Sequence, residues 1–244
     1  MFAPGLDIEL VRQLELSSTI SRTSINFMGC YAAFNALRVA DSFCQQNKSA
    51  KVLIVCTELC SIHFQKENSE DNKLANALFA DGSAALLVEA SPRANINLEI
   101  GKFFCDLFTE GERDMAWSIG DTGFKMKLSA YVPAVIKNGI KKLTFSLLSL
   151  NKINLSDIDY FAIHPGGKKI LEAIEDQLGL KKSDNKYAYD VLKRYGNMSS
   201  PTVLFVLKEI YMSITSKDQG KKILSLGFGP GLTLESLILT VKIR

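Results

Sequence analysis

The sequence predicts an α/β fold built on parallel sheet, and three observations carry that prediction. Lys51-Val52-Leu53-Ile54-Val55-Cys56-Thr57 is a continuous apolar run of strand length, as expected of a strand buried on both faces. A short apolar run at residues 24–27 and helical spacing of Tyr, Ala, Phe, Leu and Val from 31 to 43 precede it, so the order strand, helix, strand reads as a βαβ unit. A second strand followed by a helix recurs at residues 159–178, where an apolar run ends in a polar residue and a Gly-rich turn.

Taken in order, residues 7–16 read as a short helix and residues 24–27 as the strand leading to Cys30. Gly29 makes the turn, and the helix runs from Cys30 to about Gln46. Residues 58–64 follow the 51–57 strand, and residues 67–73 read as a polar loop. Residues 76–89 contain a tight Asp81-Gly82 turn between Ala77-Leu78-Phe79 and Ala84-Ala85-Leu86-Leu87-Val88. Residues 96–107 are a strand candidate on the far edge of the sheet. The segment 124–133 leads into a helix ending near Leu150. Residues 151–159 form a loop in which Ser156 is the expected N-cap of one turn. After the helix at 168–178 a polar stretch reaches Tyr195, and a helix opens near Thr202. Residues 223–226 and 232–239 are the last two strands, a hairpin about the turn 227–231. Absence of a short-period repeat, a low-complexity run or a linker gives a single domain over 1–244.

Composition narrows the class. With 244 residues, 47% hydrophobic and 23% charged, the chain is long enough for a sizeable core. A net charge of +3, with lysines dispersed in pairs, does not argue for nucleic acid. No apolar run approaches the ~20 residues of a membrane span, and the N-terminus lacks the basic start and apolar stretch of a signal peptide. The five cysteines form no Cys-x-x-Cys pair and the two histidines stand far apart, which fits free thiols in a reducing cytoplasm and no metal site.

Chemistry concentrates at three junctions. Cys30 sits where a turn gives way to a helix, and a thiol at a helix N-terminus is expected to favour thiolate. Alone, a cysteine in an apolar stretch is more often a buried, inert core residue. His164 closes a strand, in Ile163-His164-Pro165-Gly166-Gly167, and Asn197 opens a turn, in Gly196-Asn197-Met198-Ser199-Ser200-Pro201. Side chains so placed can converge on one pocket. A Cys–His pair with an amide donor suits acyl transfer through a thioester.

Gly29-Cys30, His164-Pro165-Gly166-Gly167, Gly196-Asn197-Met198-Ser199-Ser200 and Gly227-Phe228-Gly229-Pro230-Gly231 occur in this order, and Leu78-Phe79-Ala80-Asp81-Gly82-Ser83-Ala84-Ala85 lies between the first two. Together they resemble the type III polyketide synthases, the chalcone synthase-like family of the thiolase superfamily. Ketoacyl-ACP synthases of the third class also use Cys-His-Asn, but usually with Thr-Ser after the Asn, so Pro-Gly-Gly and Met-Ser-Ser favour the polyketide branch. The resemblance implies a thiolase-like fold of layered αβαβα type. It covers nearly the whole chain and the C-terminal two-thirds or so of a typical member. The end of the first thiolase half then falls at about residues 1–95 and the second half at about 96–244.

The resemblance assigns the catalytic roles to Cys30, His164 and Asn197. It places His63 in an initiation pocket, where the alternative is a surface histidine. Phe79 matches the aromatic gatekeeper between the coenzyme A tunnel and the elongation cavity; the alternative is plain core. Met126 stands where plant members hold a second gatekeeping phenylalanine, a departure that alters cavity shape, with Phe124 near enough in sequence to compensate. Gly166, Gly167, Ser199 and the loop Gly227, Phe228, Gly229, Pro230 and Gly231 fall on substrate-binding motifs, the loop glycines being equally consistent with a plain hairpin.

The implied reaction is decarboxylative condensation of malonyl-CoA onto an acyl-CoA starter held on Cys30, followed by cyclisation to a small aromatic or pyrone. It uses coenzyme A thioesters as substrates and no metal or redox cofactor. A homodimer in the cytoplasm is expected. Rival readings are a ketoacyl synthase or a hydroxymethylglutaryl-CoA synthase, for which no general-base glutamate stands in its motif near Cys30, and an inactive thiolase-fold remnant.

Overall fold

Hydrophobic stripes at helical and strand spacing decide the architecture. The computed structural model describes residues 4–244 apart from 67, 113, 121, 122, 130 and 131; Met1, Glu67 at the head of the expected polar loop and Tyr131 in the expected lead-in to the long helix therefore lie outside the described residues.

The first half carries α1 (Leu6–Gln13), a 3-10 turn at Gly29–Tyr31, α2 (Ala32–Gln46), β1 (Lys51–Glu58), a 3-10 turn at Cys60–His63, α3 (Glu70–Leu78) and β2 (Gly82–Glu89). Residues 24–27 are not a strand. Phe27 sits at φ +60, a left-handed conformation that breaks extended geometry for a bulky residue. The expected parallel βαβ unit is therefore absent here, and β1 pairs with β2 instead, antiparallel, from Lys51 opposite Glu89 to Glu58 opposite Gly82. The Asp81-Gly82 turn does not join two strands either. Residues 77–78 end α3, which begins inside the expected loop because the Ser69 hydroxyl caps the Asn72 N–H at 3.2 Å.

The second half opens on β3 (Ile96–Leu107), β4 (Met115–Gly120), β5 (Gly123–Leu128) and α4 (Val132–Asn151). It continues through β6 (Tyr160–Ile163), α5 (Lys168–Leu178), α6 (Lys186–Tyr195), α7 (Pro201–Ser213), β7 (Lys222–Gly229) and β8 (Thr233–Ile243). Its main sheet has the order β3-β8-β7-β6, with β3 on the edge as expected. Only β6 and β7 are parallel, joined by the crossover through α5, α6 and α7.

Ile136, Ile140, Leu143 and Leu147 recur along one face of α4 and are fully buried, and the helix packs on β3, β8 and α5. Each such side chain contributes about 1.5–3 kcal/mol on burial. The polar stretch before Tyr195 is the helix α6, held by a narrow stripe that buries Ala188 and Val191. Asn154, not Ser156, caps the turn after α4, its backbone N–H bonded to the Asp157 carboxylate at 2.8 Å. Two strands, β4 and β5, form a hairpin in which Trp117 faces Met126. The first of these has no counterpart among the expected elements.

Candidate active site

Cys30 is placed by two chain segments that close on each other. Gly29 takes φ +66, and a Cβ there would meet Pro230 Cδ at 2.8 Å. Across the contact, a Cβ on Gly229 would meet Tyr31 Cδ1 at 2.7 Å and the Cys30 backbone nitrogen at 3.4 Å, while one on Gly227 would overlap Phe34. The glycine-rich turn at 227–231 thus seats the 3-10 turn and the head of α2. Cys30 stands at the helix entrance, buried to 7% exposure.

Its protonation is the reverse of the expectation. Burial pushes the Cys30 thiol up to about 12, a nearby Ser199 hydroxyl opposes this, and the Glu58 carboxylate adds to it. Removing solvent outweighs what the helix terminus offers a thiolate. In the unliganded chain the sulfur is a thiol.

His164 follows β6 and is fixed by its backbone N–H donating to Leu226 O at 2.8 Å. Its ring lies edge-on to Phe228 with centroids 5.2 Å apart. Gly166 lets that phenyl approach, since a Cβ there would stand 2.5 Å from Phe228 Cε2. The imidazole is fully buried and neither ring nitrogen has a hydrogen-bond partner. Burial lowers its pKa to about 3, so it is neutral and presents one donor and one acceptor. Two orphaned buried nitrogens mark a place where a ligand completes the network.

Asn197 is locked from both sides. Its backbone N–H donates to Leu78 O and its carbonyl accepts from Ala80 N–H, both at 2.9 Å, bracketing Phe79 in a parallel bridge. The side-chain Oδ1 accepts from the Ser199 N–H at 2.9 Å and from Thr202 Oγ1 at 3.4 Å. That assignment turns Nδ2 toward Gly166 O, 3.4 Å away, and Cys30 Sγ, 4.0 Å away. Ser199 holds φ +59, a strained value for a residue with a side chain.

Glu58 is a residue the sequence reading did not find. It ends β1, and its Oε1 accepts from Ser200 Oγ at 2.7 Å and from Ser199 Oγ at 3.4 Å. A glutamate therefore does stand beside Cys30, engaged by two hydroxyls. Nothing local in the sequence announces it, because its partners lie 141 and 142 positions away.

Beyond Phe79 lies a cavity of about 400 Å³ lined by Cys60, Ser61, His63, Phe79 and Met126 among others. The structure thus brings Phe79, His63 and Met126 together, while Gly166 and the 227–231 turn pack on the aromatic supports of the cluster; Gly167 O accepts from the Ile170 and Leu171 N–H groups of α5. Trp117 of β4 stacks on His63 at 5.2 Å, and Phe124 meets the same ring edge-on at 5.7 Å. Alternating Met115-Ala116-Trp117-Ser118-Ile119 was the available signal for Trp117. A larger surface depression, about 510 Å³ over Phe104, Lys142 and Phe145, holds none of these residues.

Among the described residues, no cluster of His, Cys, Asp or Glu could hold a metal ion, and no helix is long and apolar enough to cross a membrane. The layered arrangement, with a buried cysteine, histidine and asparagine converging from three element ends, is that of the thiolase-like fold.

Comparison with known proteins gives the family. The chalcone and stilbene synthase N-terminal domain matches residues 1–92 and the C-terminal domain matches residues 101–242. The chain belongs to this family, the type III polyketide synthases. The Mycobacterium tuberculosis protein named alpha-pyrone synthesis polyketide synthase-like Pks18 is 36% identical over 244 residues, covering 98% of this chain and 62% of that protein. Probable polyketide synthase 1 of Dictyostelium discoideum is 36% identical over 245 residues, which are 97% of this chain and 8% of that protein. Among solved structures, the C-terminal type III polyketide synthase domain of Steely1 from Dictyostelium superposes with a TM-score of 0.93 at 34% identity, over 100% of this chain and 68% of that one. The 1,3,6,8-tetrahydroxynaphthalene synthase of Streptomyces coelicolor gives 0.93 at 27% identity, over 100% and 69%. The chain spans 62% of the length of the mycobacterial relatives it matches.

Proposed function

We propose that the protein is a type III polyketide synthase, an acyltransferase that condenses malonyl-CoA with an acyl-CoA starter held on Cys30. The observation that carries this reading is a buried, unpartnered, neutral His164 together with Asn197, whose Nδ2 faces Gly166 O and the Cys30 sulfur.

As the starter thioester arrives, a ring nitrogen of His164 takes the Cys30 proton and the sulfur attacks the carbonyl, releasing the coenzyme A thiol. The Cys30 backbone N–H donates to the oxyanion of that step. Malonyl-CoA follows, and His164 and Asn197 donate to its thioester carbonyl. Loss of carbon dioxide puts negative charge on that oxygen, where each preorganised donor lowers the barrier by about 3 kcal/mol. The enolate carbon then attacks the acyl-cysteine, and the chain grows by two carbons. Phe79, bridged to Asn197, shapes the passage into the cavity, where His63 and Met126 line the space for the growing chain. The similarity to a protein named for alpha-pyrone synthesis and to a tetrahydroxynaphthalene synthase supports a pyrone or small aromatic product. No resident cofactor enters these steps. A cytoplasmic homodimer is part of the same proposal.

Mass spectrometry of the chain with malonyl-CoA and a panel of acyl-CoAs, beside Cys30→Ala, tests it. Acylation of the Cys30 peptide and cyclised products absent from the variant are expected. Folded protein that never acylates Cys30 would overturn the assignment.

A further inference from the structure

Resting on the synthase reading, the next question is what moves protons once a chain fills the cavity. His63 closes the 3-10 turn at Cys60–His63, and its ring is clamped by Trp117 at 5.2 Å and Phe124 at 5.7 Å. Trp117 pairs with Met126 across the β4–β5 hairpin, and Phe124 stands two residues from Met126, so all three share one face. Lys125 and Lys127 alternate to the other face. The clamp fixes the imidazole plane but takes neither nitrogen, and among the described residues His63 has no hydrogen-bond partner.

The other titratable groups of that cavity, Asp81 and Cys60, are engaged or hindered. Both oxygens of Asp81 accept at 2.7 Å from the Ser61 N–H and hydroxyl. Asn76 Nδ2 donates to Gln65 O at 2.9 Å. The Cys60 thiol is pushed up to about 12, first by burial and also by the charge of Glu58, which makes it a poor proton carrier. An imidazole held in a fixed plane with both nitrogens free can take a proton from a bound chain and give one back.

We propose that His63 is a catalytic proton-transfer group for release of the finished chain as a lactone. The chain is a poly-β-ketone joined to Cys30 through its C1 thioester. His63 takes the proton of an enol hydroxyl further along that chain. The enol oxygen forms a bond to C1, the C1–S bond breaks, and the Cys30 sulfur leaves with the electron pair. His63 gives its proton up to solvent and the sulfur takes one back, restoring the thiol. No oxidant, reductant or further reactant enters.

Single-turnover release tests this. The chain is loaded with an acyl-CoA and malonyl-CoA, and both elongated acyl-Cys30 and free lactone are followed by mass spectrometry for the unaltered protein, His63→Phe and His63→Ala. His63→Phe keeps an aromatic ring against Trp117 and removes the nitrogens. It is expected to load Cys30 yet release lactone slower by about tenfold or more, with added imidazole restoring release by His63→Ala. Release by His63→Phe at the unaltered rate would overturn the proposal, leaving His63 a wall of the cavity. So would a slow His63→Ala that imidazole does not rescue. Failure of the unaltered protein to acylate Cys30 at all refutes the synthase reading, and this inference with it; normal loading with normal release in His63→Phe refutes the inference alone.

Discussion

Gly227→Ala probes how the glycine-rich turn seats the nucleophile. A methyl on Gly227 would overlap Cε2 of Phe34 and stand 3.0 and 3.1 Å from its Cδ2 and Cζ. Phe34 is 1% exposed and lies one helical turn beyond Cys30, so it cannot yield without moving the head of α2. Overpacking of this kind costs about 1–3 kcal/mol, and the stiffer unfolded chain returns about 0.5 kcal/mol. A net loss of about 1.5 kcal/mol is expected, or about 3–6 °C in Tm for a chain of this size. Phe34→Ala alone costs about 4 kcal/mol as a buried cavity. In the double variant the new methyl enters the space the ring has left, so the two losses fall short of their sum by about 2 kcal/mol, the overpacking cost relieved. Urea denaturation of the four proteins measures that coupling, and Cys30 acylation of the folded single variant measures the displacement of the sulfur. Additivity within about 0.5 kcal/mol would refute the account of the turn as a seat for α2.

Three further outcomes follow from the protonation and bonding of the site. His164 is held neutral with a pKa of about 3 against 6.5 unfolded, so the unfolded chain binds the extra proton between those values. Stability is then full above about pH 6.5 and falls with acid, by about 2 kcal/mol at pH 5; denaturant midpoints at pH 8 and 5 should show this fall shrink in His164→Gln, and an unchanged fall removes His164 as its source. A Cys30 thiol near 12 has about a thousandfold less thiolate at pH 8 than one at the ordinary 9.0. Iodoacetamide should therefore label exposed Cys105 well before Cys30, and Glu58→Gln should speed Cys30 labelling by removing a repelling charge; first labelling at Cys30 of the free protein contradicts both. Thr202→Val keeps shape but deletes the hydroxyl that donates to Ser199 O at 2.8 Å and to Asn197 Oδ1. It should cost about 1–2 kcal/mol, with extension reduced more than Cys30 loading as the Asn197 amide loosens, and equal effects on both steps would show that Thr202 does not orient that amide.

What was legible in the sequence was what neighbouring residues decide. The apolar run at 223–226 became β7, buried on both faces as its hydrophobicity demands, whereas the run at 51–57 became a strand, β1, that alternates, with Leu53 left exposed in a two-stranded sheet. Cys30, His164 and Asn197 stood out because each lies within two residues of a glycine where one element hands over to another, and the structure brings Cys30 and Asn197 to within 4.0 Å and leaves both ring nitrogens of His164 unpartnered. Misreadings arose where a distant partner decides. Residues 24–27 have strand composition, yet extended geometry ends at Phe27 and no described strand lies beside them. Asp81-Gly82 is a true turn signal, but the strand it opens, β2, finds β1 rather than residues 77–79, which Ser69, Glu70 and Asp71 had already committed to α3. The thiol is the sharpest case. Sequence placed Cys30 at a helix entrance, where the local dipole favours thiolate by about 1 kcal/mol or less. Burial and Glu58, reached only through Ser199 and Ser200, disfavour it by about 4 kcal/mol, the equivalent of three pKa units. The identity of the nucleophile is thus a local property and its readiness a tertiary one, so activation has to arrive with the substrate, with the unpartnered ring of His164 as the proposed proton acceptor.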